Sequence, residues 1–586
     1  MKHRLRIVSM ILVICILICT MSSCSLISNP VGKAKRLVKR VLYGPANVTQ
    51  ATETTITNEI DADAPLAEAE TSSAETSDQE SGQDIQSPAS NLKYSLTAED
   101  IAAYYELVEE CEAAFLNGES TEAELTDVED RFVAAYYQIV TQSQIAYLLY
   151  CMDTEDAKRA DDYLTSSDAA ADAYDAYMQL CKRMDVSESP LRDRFFKGWS
   201  AAELEEMRGF SGEVTRLEKA NDQILVQYRQ LNEQNFYDGS ADYYVQLVKN
   251  NNRIAELMGY ENYWVYAYEK EYRRDYGKAE ITKMREYVQT YLVPLCQRTL
   301  SEFQARYAAL SVEDRIFIAE LLERADYDDF SVDYVGDYLA TFDEACAAGM
   351  MSMFEVDNSF FGVADGAHRG AFTTYLYNLN RPVCYFGPGY QGIDTVLHEM
   401  GHYYSYVVNG KSSIHMDLAE VQSQGNEWLF WYYMRSVLSE EVAQAIYAYC
   451  LYDSLGTVIV STMIDEFEQL CYESEITAAV QADSVMAYVK SQYGGAEWLE
   501  QYLTDIDLYW RHVTVEQSVY YVSYAISMLA AVQIYTVADN QSYEVAMELY
   551  LSLVDPVSSS LMECLAEAQL KTPMDEALYL ELSAMI

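Results

Sequence analysis

Six histidines occur in the 586-residue sequence, and two of them lie four residues apart in His398-Glu399-Met400-Gly401-His402. Residues four apart share one face of a helix. An HExxH sequence on a helix therefore aims two imidazoles at one place, where they can bind a zinc ion. Glu399 falls beside them, able to reach a water on the metal as general base. Two histidines leave a tetrahedral ion short of protein ligands, so a third must come from elsewhere. Residues 418–428 (LAEVQSQGNEW) carry Glu420 and Glu427, seven apart and on one helix face. One of the two could bind the metal while the other orients a ligand histidine from behind. His415 is a competing third ligand. His368 lies in a glycine-rich loop and reads as a solvated residue with at most a rim contact.

The elements that must position these groups can be read outward from the motif. Val396, Leu397, Met400 and Val407 form an apolar stripe, and Asn409-Gly410 is a helix stop. Just upstream, residues 359–390 concentrate glycine and proline around AFTTYLY (371–377) and VCYF (383–386), which predicts a small sheet or hairpin. Everywhere else the pattern is helical. Proline numbers only 10 and glycine 24, and four of the prolines precede residue 89, so long helices meet few breakers. Thr97/Asp100 is a cap-like start. Thr121/Glu124 and Ser200/Glu203 read as capping boxes, Asn117-Gly118 as a stop, and Ser187–Pro190 as a break. The tyrosine-rich stretch 224–275 reads as aromatic packing between helices. The expected organisation is an N-terminal helical layer over 93–205 and a main body over 206–586.

The first 92 residues are of another kind. Lys2, His3, Arg4 and Arg6 precede an uncharged apolar run over 7–20, the pattern of an export signal. Met21-Ser22-Ser23-Cys24 resembles a bacterial lipobox, making Cys24 the lipidated residue; a simple N-terminal membrane anchor is the alternative. Either places the chain outside the cytoplasm, and the lipobox places it on the outer face of a bacterial cytoplasmic membrane. Residues 25–92 read as a disordered tether, basic near the anchor and then rich in Thr, Ser, Glu and Asp. The formal net charge of −52 excludes a general nucleic-acid binder. It reads as solubility outside the cell or, more sharply, as a preference for cationic substrates. Nine cysteines remain beyond Cys24, an odd number with no CxxC pair, which predicts buried free thiols.

Three separated segments make the chain similar to the thimet oligopeptidase and oligoendopeptidase F family of zinc metallopeptidases. They are Gly370-Ala371-Phe372, the HExGH motif with Ala419-Glu420-Val421-x-Ser423-x-x-Asn426-Glu427, and residues 512–527 (HVTVEQSVYYVSYAIS). The resemblance implies a mostly α, two-lobed fold with a deep channel and a small β-sheet next to the HExxH helix. It implies one zinc per chain on His398, His402 and Glu420, with Glu427 behind them. It gives His512 and Tyr524 substrate alignment and oxyanion stabilisation, with Tyr521 and Tyr520 as nearby candidates. Gly370, Ala371, Phe372 and Tyr520 are the expected substrate contacts. The implied activity is endopeptidase cleavage of short extended oligopeptides by metal-activated water, in a monomer. Two departures stand out: the interval from His402 to Glu420 is short for the family, and Gln517 stands where thimet-type members have tyrosine. The alternatives are a dipeptidyl-carboxypeptidase-like HExxH enzyme and a non-catalytic surface lipoprotein that binds peptides.

Overall fold

Helix ends follow the local chemistry of the sequence. Thr97, Thr121 and Ser200 each cap a helix with the reciprocal box to Asp100, Glu124 and Glu203. Gly118, at φ 69°, closes the first of them. The structure, a computed structural model, describes residues 92–584 apart from 232, 324–328, 365, 411–414, 495–508 and 557. The signal, Cys24 and nearly all of the tether lie outside the described residues.

Helices α1 (Ala98–Asn117), α2 (Glu122–Cys151) and α3 (Ala157–Asp185) form an N-terminal layer. Tyr104, Phe115, Phe132, Tyr136 and Tyr177 fill its core. That core runs past residue 205, because Phe210, Val214 and Leu217 join it from the turn before α4 and from α4 itself (Gly212–Arg229). The larger core belongs to the body and is assembled largely around α5 (Val293–Ala309), α6 (Ile393–Asn409), α7 (Met416–Val437), α8 (Glu440–Glu473) and α9 (Val522–Asn540). Helix α9 is apolar on all sides, with a mean hydropathy of 1.3, because 78% of it is buried among its neighbours. All nine described cysteines are free and buried, as their apolar settings predict.

The glycine-rich interval folds into a three-stranded sheet, β1 (Ser359–Phe361), β2 (Ala371–Leu376) and β3 (Arg381–Phe386), in the order β1-β3-β2. β1 runs parallel to β3, and β2 antiparallel, with Ala371 opposite Phe386 and Leu376 opposite Arg381. β2 is thus an edge strand, yet every one of its residues is buried. Helix α6 packs on β2 and β3, which ties the motif helix to the sheet. Val396, Leu397 and Met400 face that core, while Val407 turns outward at 42% exposure, beyond the buried stripe.

Candidate metal centre

Two crossing helices bring the ligands together. α6 carries His398 and His402 on its inner face, and α7 carries Glu420 in its second turn. The crossing is close because Gly401 has no side chain: a Cβ there would stand 2.6 Å from both the Gln422 carbonyl oxygen and Ser423 Cα. Asn426 ties the helices further, its Nδ2 donating to the Leu397 carbonyl at 2.8 Å. As a result, ligand atoms of His398, His402 and Glu420 all lie within 4.8 Å of one another, and all three residues are buried. Glu420 Oε2 is 3.3 Å from His398 Nε2 and 3.6 Å from His402 Nε2.

The surrounding contacts fix this donor set. Glu427 Oε1 lies 2.6 Å from His398 Nδ1, so the carboxylate accepts a hydrogen bond from Nδ1–H and the Nε2 lone pair faces Glu420. Thr373, on β2, donates to Glu399 Oε2 at 2.7 Å. The other oxygen, Glu399 Oε1, is buried with no hydrogen-bond partner among the described residues. Ser423 donates to Glu420 Oε2 at 3.1 Å, and the Tyr520 hydroxyl donates to Glu420 Oε1. Burial pushes Glu399 and Glu427 up from the ordinary carboxylate range, partly offset by the histidines beside them. Burial acts on Glu420 too, but His402 and His398 outweigh it and hold that carboxyl well below its usual range. Two imidazoles and one anionic oxygen, converging where water is scarce, suit a divalent metal ion.

The C-terminal segment brings further groups to this place. Tyr524 is buried, its ring 6.4 Å from that of His398. Tyr520 and Tyr521 pack edge-on and tilted against it, with ring centroids at 5.3 and 5.4 Å. His512 is held from the N-terminal side: Tyr228, near the end of α4, hydrogen-bonds its Nδ1 and stacks on its ring. Burial lowers the His512 pKa, so the ring is neutral at physiological pH. Beside it, Arg229 and Glu516 form a buried ion pair at 2.5 Å.

Several expectations change in detail. Tyr520, expected at the substrate, has its hydroxyl on Glu420. Phe372 is fully buried between Tyr147 and Tyr385, so its side chain belongs to the core and only its backbone lies at the sheet edge. The Gly370 carbonyl accepts from the Gly387 amide at 2.8 Å, and Ala371 begins the edge strand. His415 is no ligand: its Nε2 lies 2.6 Å from the Arg273 carbonyl oxygen. His368 is not solvated but 5% exposed, and burial together with Arg229 lowers its pKa to about 3. Thr373, Tyr228, Arg229 and Glu516 were not foreseen; nothing in their local sequence marks them.

No family model matches the sequence, and no curated protein matches it either. The three-dimensional structure does match. A Bacillus anthracis structure described as an oligoendopeptidase F is similar at a TM-score of 0.65 and 18% identity, over 84% of this chain and 96% of that one. PZ peptidase A, solved with an inhibitor, gives 0.66 at 16% identity over 84% and 98%. Oligoendopeptidase-F from Enterococcus faecium gives 0.51 at 14% identity over 84% and 97%. What is shared at such identities is the fold. The chain has the helical oligoendopeptidase architecture with its small sheet, the fold that the sequence resemblance implied.

Proposed function

We propose that the chain is a zinc-dependent endopeptidase that hydrolyses short, extended oligopeptides outside the cytoplasm. The observation that carries this is the convergence of His398, His402 and Glu420 within 4.8 Å, with the partnerless Glu399 oxygen on the same helix face. The solved structures that share the fold are peptidases, which supports the reading and favours an oligopeptidase over a carboxypeptidase.

Zinc held by His398, His402 and Glu420 would supply Lewis acidity toward a water and the scissile carbonyl. The chain's own groups do the rest. Glu399, held by Thr373 through one oxygen, takes a proton from the attacking water on the other and returns it to the leaving amine. Tyr524 and Tyr521 donate toward the developing oxyanion. Neutral His512 aligns the substrate. The backbone of β2 pairs with an extended peptide, giving affinity with little demand on side chains. Lipidation at Cys24, with residues 25–92 as spacer, would hold the enzyme at the outer face of the membrane; radiolabelled palmitate incorporation that vanishes in Cys24→Ala tests this part.

The activity is tested on full-length protein purified without added metal. Zinc per chain and cleavage of a quenched-fluorescent peptide are measured for wild type, Glu399→Gln and Glu420→Ala. The expected result is one zinc per chain, with Glu399→Gln keeping metal but losing turnover by about 10²-fold or more. Glu420→Ala loses both. A chain that binds no zinc, or cleavage that survives Glu399→Gln, overturns the reading in favour of a peptide-binding surface protein.

A further inference from the structure

A cavity of about 210 Å³ lies between the N-terminal layer and the body. One wall comes from α2 to α4, the other from residues 263–272 and 515–518. Tyr272, which lines the cavity, packs with its ring 5.8 Å from that of Tyr520, whose hydroxyl lies on Glu420, so one aromatic residue separates the cavity from the proposed centre. Its lining is acidic: Glu206, Glu218, Asp222, Glu271 and Glu516 face one cation, Lys219.

The ion pairs account for only part of this charge. Glu516 is bound to Arg229 at 2.5 Å, Glu206 to Lys270 at 3.2 Å, and Lys219 is spent on Asp172 at 2.7 Å. Arg274, the cation acting on Glu271, is committed to Asp417 at 3.6 Å. Glu218, Asp222 and Glu271 are left without a basic partner among the described residues. Asp222 accepts a hydrogen bond from Ser167, and Glu271 one from Tyr263, each at 2.5 Å. The Glu218 carboxylate accepts none among the described residues. Two further lining residues are almost fully buried yet have hydroxyls without a partner among the described residues: Tyr163 at 2% exposure and Ser143 at 1%. Tyr163 lies within electrostatic reach of Asp222.

Unneutralised carboxylates beside unused hydroxyls in a cavity of this volume form a site for a cation, since each group offers an acceptor oxygen and none a positive charge. We propose that this cavity is a specificity subsite for a cationic group of the peptide substrate: its terminal ammonium, or a lysine or arginine side chain. Resting on the peptidase reading above, it names a substrate class for that site. Consistent with it, burial raises Glu218 and Glu271 to about 7 and Asp222 to about 6, with Asp222 and Glu271 adding repulsion at Glu218 and Asp168 adding it at Asp222, shifts that a bound cation would reverse.

The test uses full-length protein and matched quenched-fluorescent peptides that differ only in charge. One carries a free amino terminus and a lysine, one is N-acetylated, one has acetyl-lysine, and one has both groups blocked. The proposal expects the charged peptide to be preferred by about tenfold in kcat/KM, mainly through KM. Glu218→Gln and Glu271→Gln, made separately, should each remove most of that preference while cleaving the blocked peptide within twofold of wild type. Loss of preference on N-acetylation assigns the terminal ammonium; loss on lysine acetylation assigns the side chain. If all four peptides are cut equally, or the preference survives both variants, the subsite is refuted and the peptidase reading stands. If none is cut, calorimetric binding of the same peptides decides. Binding that needs charge and Glu218 keeps the subsite while the peptidase reading fails, and its absence ends both.

Discussion

Gly401→Ala isolates the helix crossing that builds the candidate metal centre. The added Cβ would meet the Gln422 carbonyl oxygen and Ser423 Cα at 2.6 Å. Unstrained contacts of this kind are about 3.5 Å, and both opposing atoms are backbone, so no rotamer change relieves the clash. Helices α6 and α7 must separate by roughly 1 Å. Glu420 lies on α7 two residues before that contact, and the histidines flank Gly401 on α6. The present 3.3 and 3.6 Å separations between Glu420 Oε2 and the two Nε2 atoms would widen accordingly. Overpacking of this sort costs about 1–3 kcal/mol, which predicts roughly 5- to 160-fold weaker zinc binding at 1.36 kcal/mol per decade. The assay is competition against a chromophoric chelator, with circular dichroism to show that the variant is folded. Gly425→Ala is the control. Its Cβ would meet Ile534 Cδ1 at 2.9 Å and the Tyr550 ring at 3.1 Å, side-chain atoms that can give way, so affinity should stay within about threefold. A folded Gly401→Ala protein that binds zinc as tightly as wild type would refute the geometry.

Three other outcomes follow from the same contacts. Glu427→Ala removes the carboxylate on His398 Nδ1 and should weaken metal binding about 10- to 100-fold while leaving all three ligands in place; chelator competition measures it. Tyr524→Phe should lower kcat by about 10²-fold with little change in KM, the signature of a donor used at the oxyanion; equal losses in binding would instead assign it to packing. For Glu218 the sign is set by its raised pKa. Burial, Asp222 and Glu271 move it from 4.5 to about 7 in the folded chain, so the native state binds the extra proton between those values and stability falls as pH rises through them. Glu218→Gln should therefore stabilise the protein at pH 8 by about 1–3 kcal/mol, discounted for the water the cavity admits, and much less at pH 5. A melting-temperature gain equal at both pH values would contradict it.

What could be read from the sequence is what short-range interactions decide. The capping boxes at Thr97, Thr121 and Ser200, the stops at Gly118 and Gly410, and the pairing of His398 with His402 all depend on partners three or four residues away. The strand over 371–376 was legible for a similar reason, because its aromatic and β-branched residues and the glycines and prolines around them act along the chain itself. The sequence also brought Glu420 and Glu427 to one helix face, but spacing alone could not assign their roles.

Tertiary structure made that assignment and supplied the groups around it. Thr373 reaches Glu399 across 26 residues, Tyr520 reaches Glu420 across 100, and Arg229 reaches Glu516 across 287. None of these pairings has a local signal, because each depends on where whole helices and the sheet pack. His368 shows the same limit: its polar, glycine-rich surroundings in sequence suggest solvent, yet the fold buries it with its ring stacked by Tyr385. Glu420 and Glu427, two turns apart on α7, arrive at opposite nitrogens of His398, one beside Nε2 and the other on Nδ1. The seven-residue spacing on α7 permits that arrangement. The angle and closeness at which α7 crosses α6, set by the bare backbone at Gly401, make Glu420 the candidate ligand and Glu427 the carboxylate behind it.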